Sequence, residues 1–469
     1  MVLTAEEVVL ERCEKFLSPL YWTDVNLRSR MFPSRIAVDE LSMLQLGPEE
    51  PHLPFRRARD LWRQGCFRPC SVGDSFGPTW ATVWFRLRFV VPEAKCGLSL
   101  ALRWDSSSEA MLYGEEGEHL QAFTGGDGSD RRDLFFLPKT MICAETLEFF
   151  VEMACNGMFG NGGGGMIRPP DENGSFQLKA AELVEVNEPA HTLFWDLTAL
   201  HSLASSTKDA AVSSGLVSAI SGILNAVDIA DSTSLTACHR RAEEAMQGNQ
   251  IDHSVSAFGH CHIDTAWLWP YRETRRKAMR SWGTQLTLMD RYPDWRFVAS
   301  QTVHVEWLKE DHPPLFHKVI ASVRLGRFVP VGGTFVEFDA NVPSAESFIR
   351  QFLYGSQFLQ QNLGIRSDVF WLPDTFGYSA QLPQIMRGFG MRYFLSQKLS
   401  WNLFNVFPHS SFEWEGIDGS VVIAHFPPAD TYSAACSAGE LLKSVSNHKS
   451  LRHSNRSMLL FGHGICLFE

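Results

Sequence analysis

The chain has 469 residues, 45% of them hydrophobic, with 53 acidic against 42 basic side chains and a net charge of −11. That length supplies core for two to four domains, and an acidic balance without any basic block argues against a nucleic-acid partner. No stretch approaches the roughly 18–20 apolar residues of a membrane span; the start, MVLTAEEVVLERCEKFL, puts acids where a secretory signal needs a basic start and an apolar run, so a cytoplasmic protein with reduced cysteines is expected.

In chain order, residues 1–65 open with an amphipathic helical pattern and continue through Pro- and Arg-rich connections such as PEEPHLPFRRARD. Residues 66–195 carry alternating apolar segments at 81–91, 98–104, 110–114 and 147–154, separated by turn-rich stretches, which predicts an antiparallel β-sandwich. Within it, NGGGGMIRPP at 161–170 lacks the Lys-Ser/Thr and helix of a phosphate cradle and reads as a flexible loop. A carbohydrate-binding role for such a sandwich rests on fold analogy alone. Residues 196–250 form a helical linker. Over 251–462 strands and helices alternate, the pattern of a mostly parallel α/β barrel or sheet. Strands are predicted at 253–260, 296–303, 327–332, 369–373, 391–396 and 457–462, with a hairpin at about 411–427 turning on Asp418-Gly419.

Three segments of that region concentrate chemistry. In FGHCHIDTAWLWPYRE, residues 258–273, the strand stays extended into the motif, so His262 and Asp264 point the same way. An imidazole and a carboxylate converging at a strand end suit a divalent cation such as zinc. A buried, hydrogen-bonded histidine is the plainer alternative. In WLPDTFGYSAQLPQI, residues 371–385, Asp374 follows a buried-strand pattern directly, while Ser379 is the better cap for the helix beyond. In GGTFVEFDANVPSAESFIRQ, residues 332–351, Glu337, Asp339 and Asn341 again fall at period two after a strand, and a solvated acidic loop is the simplest reading. Trp267, Trp269 and Trp371 suit either core packing or a sugar face.

Together these segments resemble the catalytic core of the family-38 glycoside hydrolases, the class II α-mannosidases. The likeness rests on HIDTAWLWP, the GG–VEFDAN–PSAES run and WLPDTFGYSAQLPQI, spans roughly residues 200–462, and fits the cytosolic branch. The resemblance implies an incomplete parallel α/β barrel behind the sandwich and retaining hydrolysis of terminal α-mannosides from mannose-containing oligosaccharides. It also implies zinc or cobalt held by His262, Asp264 and Asp374, with Asp374 doubling as nucleophile. Asp339, Trp267, Trp371 and Tyr378 are then expected to line the sugar pocket.

After Gly462 the likeness ends. The cytosolic branch continues there into a glycine-rich loop carrying an Asp, the usual acid/base, and later a His that is the fourth metal ligand. Residues 463–469 form a divergent tail offering neither, and His463 is a poor substitute for a carboxylic acid. Slow or absent turnover is therefore expected. A different metal hydrolase, and a non-catalytic product that binds sugar or a partner, are the competing readings.

Overall fold

The computed structural model describes residues 3–125, 131–141, 144–163, 166–247 and 252–462. Residues 463–469, expected as a divergent tail, and His463 among them lie outside the described residues. At the N-terminus, Ala5–Leu17 is a helix because Thr4 and Glu7 cap each other's backbone N–H groups, at 3.2 and 2.7 Å. It packs on three further helices, Glu188–Ser206, Ala210–Ala226 and Ser232–Met246, each started by a side-chain cap, Asn187, Asp209 or Asp231. Cys13, Leu197, Ile220 and Leu235 lie in the one core these helices share. The helix that opens the first segment and the helical linker, expected in separate parts, thus share one core.

The sandwich is antiparallel throughout its two main sheets. One runs in the order Arg35–Ala37, Ala180–Glu185, Leu100–Asp105, Leu134–Phe136. The other runs Arg68–Pro69, Glu40–Leu46, Thr82–Val90, Thr146–Ala154, Ala110–Gly114, His119–Phe123. Arg35–Ala37 and Glu40–Leu46 lie upstream of the expected start at 66. Glu40–Leu46 buries Met43 and Leu46, three residues apart, and is rich in Leu and Met, so it offers neither a period-two pattern nor a β-branched signal. Phe85 and Trp104 meet edge to face between the sheets, centroids 5.0 Å apart. The outer face of the six-stranded sheet is not wet. Trp84, Met111, Tyr113 and Phe150 on that face share a core with Met279 and Trp282 of the helix Tyr271–Arg291.

The α/β region has eight strands: β1 (Ser254–His260), β2 (Phe297–Gln301), β3 (Phe328–Thr334), β4 (Val369–Trp371), β5 (Tyr393–Leu395), β6 (Ser411–Glu415), β7 (Val421–His425) and β8 (Arg456–Phe461). They form two four-stranded sheets. The first is wholly parallel, in the order β3-β2-β1-β8. In the second, β4-β5-β7-β6, only the β6–β7 hairpin is antiparallel. That hairpin turns at Asp418-Gly419 as expected, with Gly419 at φ 82°, where a side chain would be strained. β3 lies beside β4, so the two sheets adjoin there. This is an incomplete α/β domain, as the motif resemblance implied.

Two local expectations shift. The helix after Asp374 begins at Leu382 rather than Ser379. Gly162–Gly163 pairs antiparallel with Met166–Ile167, where only loop was expected. Among the described residues no helix is long and apolar enough to cross a membrane, and no disulfide joins the eight described cysteines.

Candidate metal centre

The carboxyl ends of β1 to β5 empty into one place, the usual location for chemistry in such sheets. His262 lies two residues beyond β1, Glu337 three beyond β3, Asp374 three beyond β4 and Lys398 three beyond β5. The His262 Nε2 sits 3.4 Å from Asp264 Oδ1 and 3.4 Å from Asp374 Oδ2. One atom from each of the three residues lies within 4.8 Å of the others. The His262 Nε2 is buried and has no hydrogen-bond partner among the described residues. Ligands about 2.0–2.2 Å from a tetrahedral cation stand roughly 3.3–3.6 Å apart, so these spacings fit a divalent cation.

The imidazole is aimed from behind. Its Nδ1 lies 2.7 Å from Glu337 Oε2, and the other Glu337 oxygen accepts from Ser300. This arrangement of carboxylate, histidine and metal position fixes which ring nitrogen faces the cation. Burial alone would lower the His262 pKa. Glu337 opposes that most strongly, with Asp264 and Asp374, and the three hold the group well above its usual value. Gln301, at the end of β2, receives hydrogen bonds from Thr265 and the Glu337 N–H and donates to the Ile263 carbonyl at 2.7 Å. Glu337 was read from sequence as part of a solvated loop; its side chain is only 3% exposed. The clue was its period-two placement after a strand of the same sheet as His262.

Asp374 is gripped on both oxygens. Lys398 donates to Oδ1, and the Tyr432 hydroxyl donates to Oδ2 at 2.9 Å. Burial would raise its pKa, but His262 and Lys398 together push it well below the carboxylate range. The Lys398 ammonium also lies 3.3 Å from the Trp401 ring centroid and 4.4 Å from that of Phe376. Neither Lys398 nor Tyr432 stood out in the sequence, because each is a lone residue in a connecting loop with no metal-like spacing.

The expected pocket residues divide. Tyr378 hydrogen-bonds Ser396 and stands edge-on to Phe394, centroids 5.2 Å apart. Trp267 is 42% exposed beside Trp269. Asp339 is exposed and accepts from the N–H groups of Asn341 and Val342, so it stabilises its own loop. That loop is joined to the Asp374 loop by Asn341 donating to the Phe376 carbonyl at 3.2 Å. Trp371 points inward: it is 3% exposed and its indole N–H donates to His260 Nε2 at 3.1 Å. A sugar cannot stack on a ring so covered. Trp371 instead pins His260, whose burial lowers it to about 4.

Comparison with known proteins agrees with this geometry. Residues 252–467 match the glycosyl hydrolases family 38 N-terminal domain, and residues 45–184 match the alpha-mannosidase jelly roll domain. The chain is 45% identical over 458 residues to alpha-mannosidase 2C1 of Homo sapiens, covering 97% of this chain and 43% of that protein. It is 38% identical over 468 residues to alpha-mannosidase G of Dictyostelium discoideum, covering 99% and 42%. With an alpha-mannosidase of Saccharomyces cerevisiae it shares 40% over 421 residues, 85% and 38%. The chain thus spans less than half the length of these relatives. Two domain matches in the expected order, and a similarity running almost end to end, show that the chain carries an alpha-mannosidase jelly roll domain followed by a glycosyl hydrolase family 38 N-terminal domain.

Proposed function

We propose that this chain carries the nucleophile and cation side of a retaining α-mannosidase site for terminal α-mannosides of free oligosaccharides in the cytoplasm. The observation that carries the reading is Asp374: an ionised carboxylate gripped by Lys398 and Tyr432, with one oxygen facing His262 Nε2. Zinc or cobalt, held by His262, Asp264 and Asp374, would bind sugar hydroxyls and favour ring distortion toward the oxocarbenium geometry. Glu337 keeps the imidazole aimed, and Lys398 keeps Asp374 charged and fixed in direction. Asp374 then attacks the anomeric carbon as the glycosidic C–O bond breaks, giving a covalent glycosyl intermediate that water later hydrolyses. Trp267 and Tyr378 are assigned to the sugar-facing wall and Asp339 to a hydroxyl contact at its mouth, with Trp371 supporting the floor.

The leaving oxygen needs a proton. Among the described residues, Asp264 and Asp374 serve the cation and Glu337 is engaged by His262 and Ser300, which leaves none of the three converging carboxyl groups as donor. Lacking a positioned acid costs on the order of 10²–10⁴ in rate. An aryl α-mannoside with a good leaving group should therefore turn over slowly, and a natural disaccharide hardly at all. The test is labelling with an activated fluoro-mannoside in the presence of zinc or cobalt, with Asp374→Ala as blank. Label on Asp374 supports the nucleophile. Bound cation without label would instead favour hydrolysis by metal-bound water, with Asp374 a ligand only.

A further inference from the structure

The glycine run that the sequence left without a purpose sits against the metal-binding loop. Trp269 is buried five residues beyond Asp264, and its Nε1 donates to the Asp264 carbonyl at 3.3 Å. The Lys277 ammonium lies 4.6 Å from the Trp269 ring centroid. Fully buried Lys277 donates in turn to Glu109 Oε2 at 2.6 Å and to the Met158 carbonyl at 2.9 Å, both in the sandwich. On the other flank, the Asn161 N–H donates to the Leu268 carbonyl at 2.8 Å. Gly160, at φ +69°, approaches so closely that a Cβ would stand 2.2 Å from that carbonyl oxygen and 3.2 Å from the Trp269 ring. A Cβ on Gly162 would lie 2.7 Å from the Leu268 side chain. Two different contacts from the sandwich, one ionic and one made by backbone against backbone, therefore converge on the segment that carries a ligand. Asp264 is the most exposed of the three ligand side chains, 35% against 9% for His262 and 16% for Asp374. Its aim depends most on where its backbone is held.

We propose that the sandwich is a positioning element of the metal centre: Glu109 through Lys277 and Trp269, and the Gly160–Gly162 segment through Leu268, set the 262–269 loop so that Asp264 meets the cation bound by His262. This rests on the cation reading above and departs from the carbohydrate-binding role that fold analogy suggests for such a domain. Glu109 and Gly160 are positioning residues and touch no substrate.

The test uses the whole chain carrying Glu109→Gln, which keeps the volume and removes the charge, or Gly160→Ala, which changes no charge and forces the Leu268 carbonyl away. Gly157→Ala is the control from the same loop, since a Cβ there meets nothing nearer than 3.8 Å. Hydrogen exchange over residues 261–270 is read without metal, and cobalt(II) affinity is read by titration. Both variants should exchange faster in that segment alone and bind cobalt about tenfold or more weakly, the usual scale for losing an outer partner of a ligand. The control should do neither. Unchanged exchange, or faster exchange with unchanged cobalt affinity, overturns the proposal while leaving the metal centre standing. If the unmodified chain binds cobalt no better than His262→Ala, the cation reading itself fails and takes the positioning claim with it. Should Glu109→Gln not fold, Gly160→Ala decides alone.

Discussion

Two clusters of buried charge lie on either side of the 262–269 loop, and they are built differently. Between the sandwich and the helix Tyr271–Arg291, Glu109, Glu152 and Glu273 face Arg276, Lys277 and Arg280, in contacts that include 2.6 Å from Lys277 to Glu109 and 2.8 Å from Arg276 to Glu152. Three anions meet three cations, with His52 also 2.9 Å from Glu152, so with His52 neutral the formal charges cancel. At the metal centre, Asp264, Glu337 and Asp374 face a single ammonium, Lys398, so with His262 neutral two positive charges are lacking. Proton uptake by His262 meets part of that demand, in keeping with its raised pKa. A dication meets all of it. Burial of charge alone is therefore no sign of a binding site; an uncompensated sum of charge is the more telling feature.

The comparison can be broken from either side. The largest expected effect comes from unbalancing the charge-matched cluster. Lys277→Met leaves Glu109 buried with only Arg280 and Asn156 to satisfy it, and urea unfolding should show a loss of about 3 kcal/mol. A loss under about 1 kcal/mol would mean that water reaches this cluster.

Next in size, zinc at about a hundred times its dissociation constant should raise unfolding stability by about 2.7 kcal/mol. His262→Ala should abolish that increment, and a persistent increment would place the cation elsewhere.

A smaller effect is expected with acid. His119 and His312, whose ring nitrogens lie 3.2 Å apart where the sandwich meets the helices, are lowered mainly by burial to about 3 and about 4. Their folded values lie below the unfolded one, so the unfolded chain takes up protons first. Stability is then complete above about pH 6.5 and declines as pH falls toward 4, by about 1–2 kcal/mol once their partial exposure is allowed for. The pH dependence of the unfolding midpoint in His119→Gln should be shallower than in the unmodified chain.

The smallest effect is the sharpest contrast with Lys277. In metal-free protein, Asp264→Asn should change stability by less than about 1 kcal/mol, because attraction to His262 and repulsion from Asp374 oppose each other at a partly wet site. The same substitution should remove most of the zinc increment.

What could be read from the residues alone followed from periodicity. Strands β1 to β5, the β6–β7 hairpin and β8 were legible as apolar runs between turn residues. His262, Asp264 and Asp374 were legible because each follows such a run at once. Glu337 carried the same placement signal, but nothing in VEFDAN distinguishes a buried acid from a wet one. Only the adjacency of β3, β2 and β1 does so. Lys398 and Tyr432 reach Asp374 through loops whose path no local pattern encodes. Trp371 illustrates the reverse case: its residue type suits a sugar face, yet β4 turns it inward against His260. The partner of the first helix was equally hidden, since Cys13 joins the core of Ile220 and Leu235 only through tertiary packing.

The pairing of β1 carries a consequence in time. On one side it is flanked by β2, close by in the chain, and on the other by β8, which begins only at Arg456. A ribosome adding about 5–20 residues per second needs roughly 10–40 s to travel the intervening two hundred or so residues. Throughout that interval the nascent domain carries His262 and Asp264 just beyond a strand whose second edge is bare, and an open strand edge invites pairing with another chain. The helix Tyr271–Arg291 emerges soon after β1 and can settle early on a sandwich already made. The edge awaiting β8 has no such early shelter, so it is the place where slow translation would favour aggregation and where a holding chaperone would be most useful.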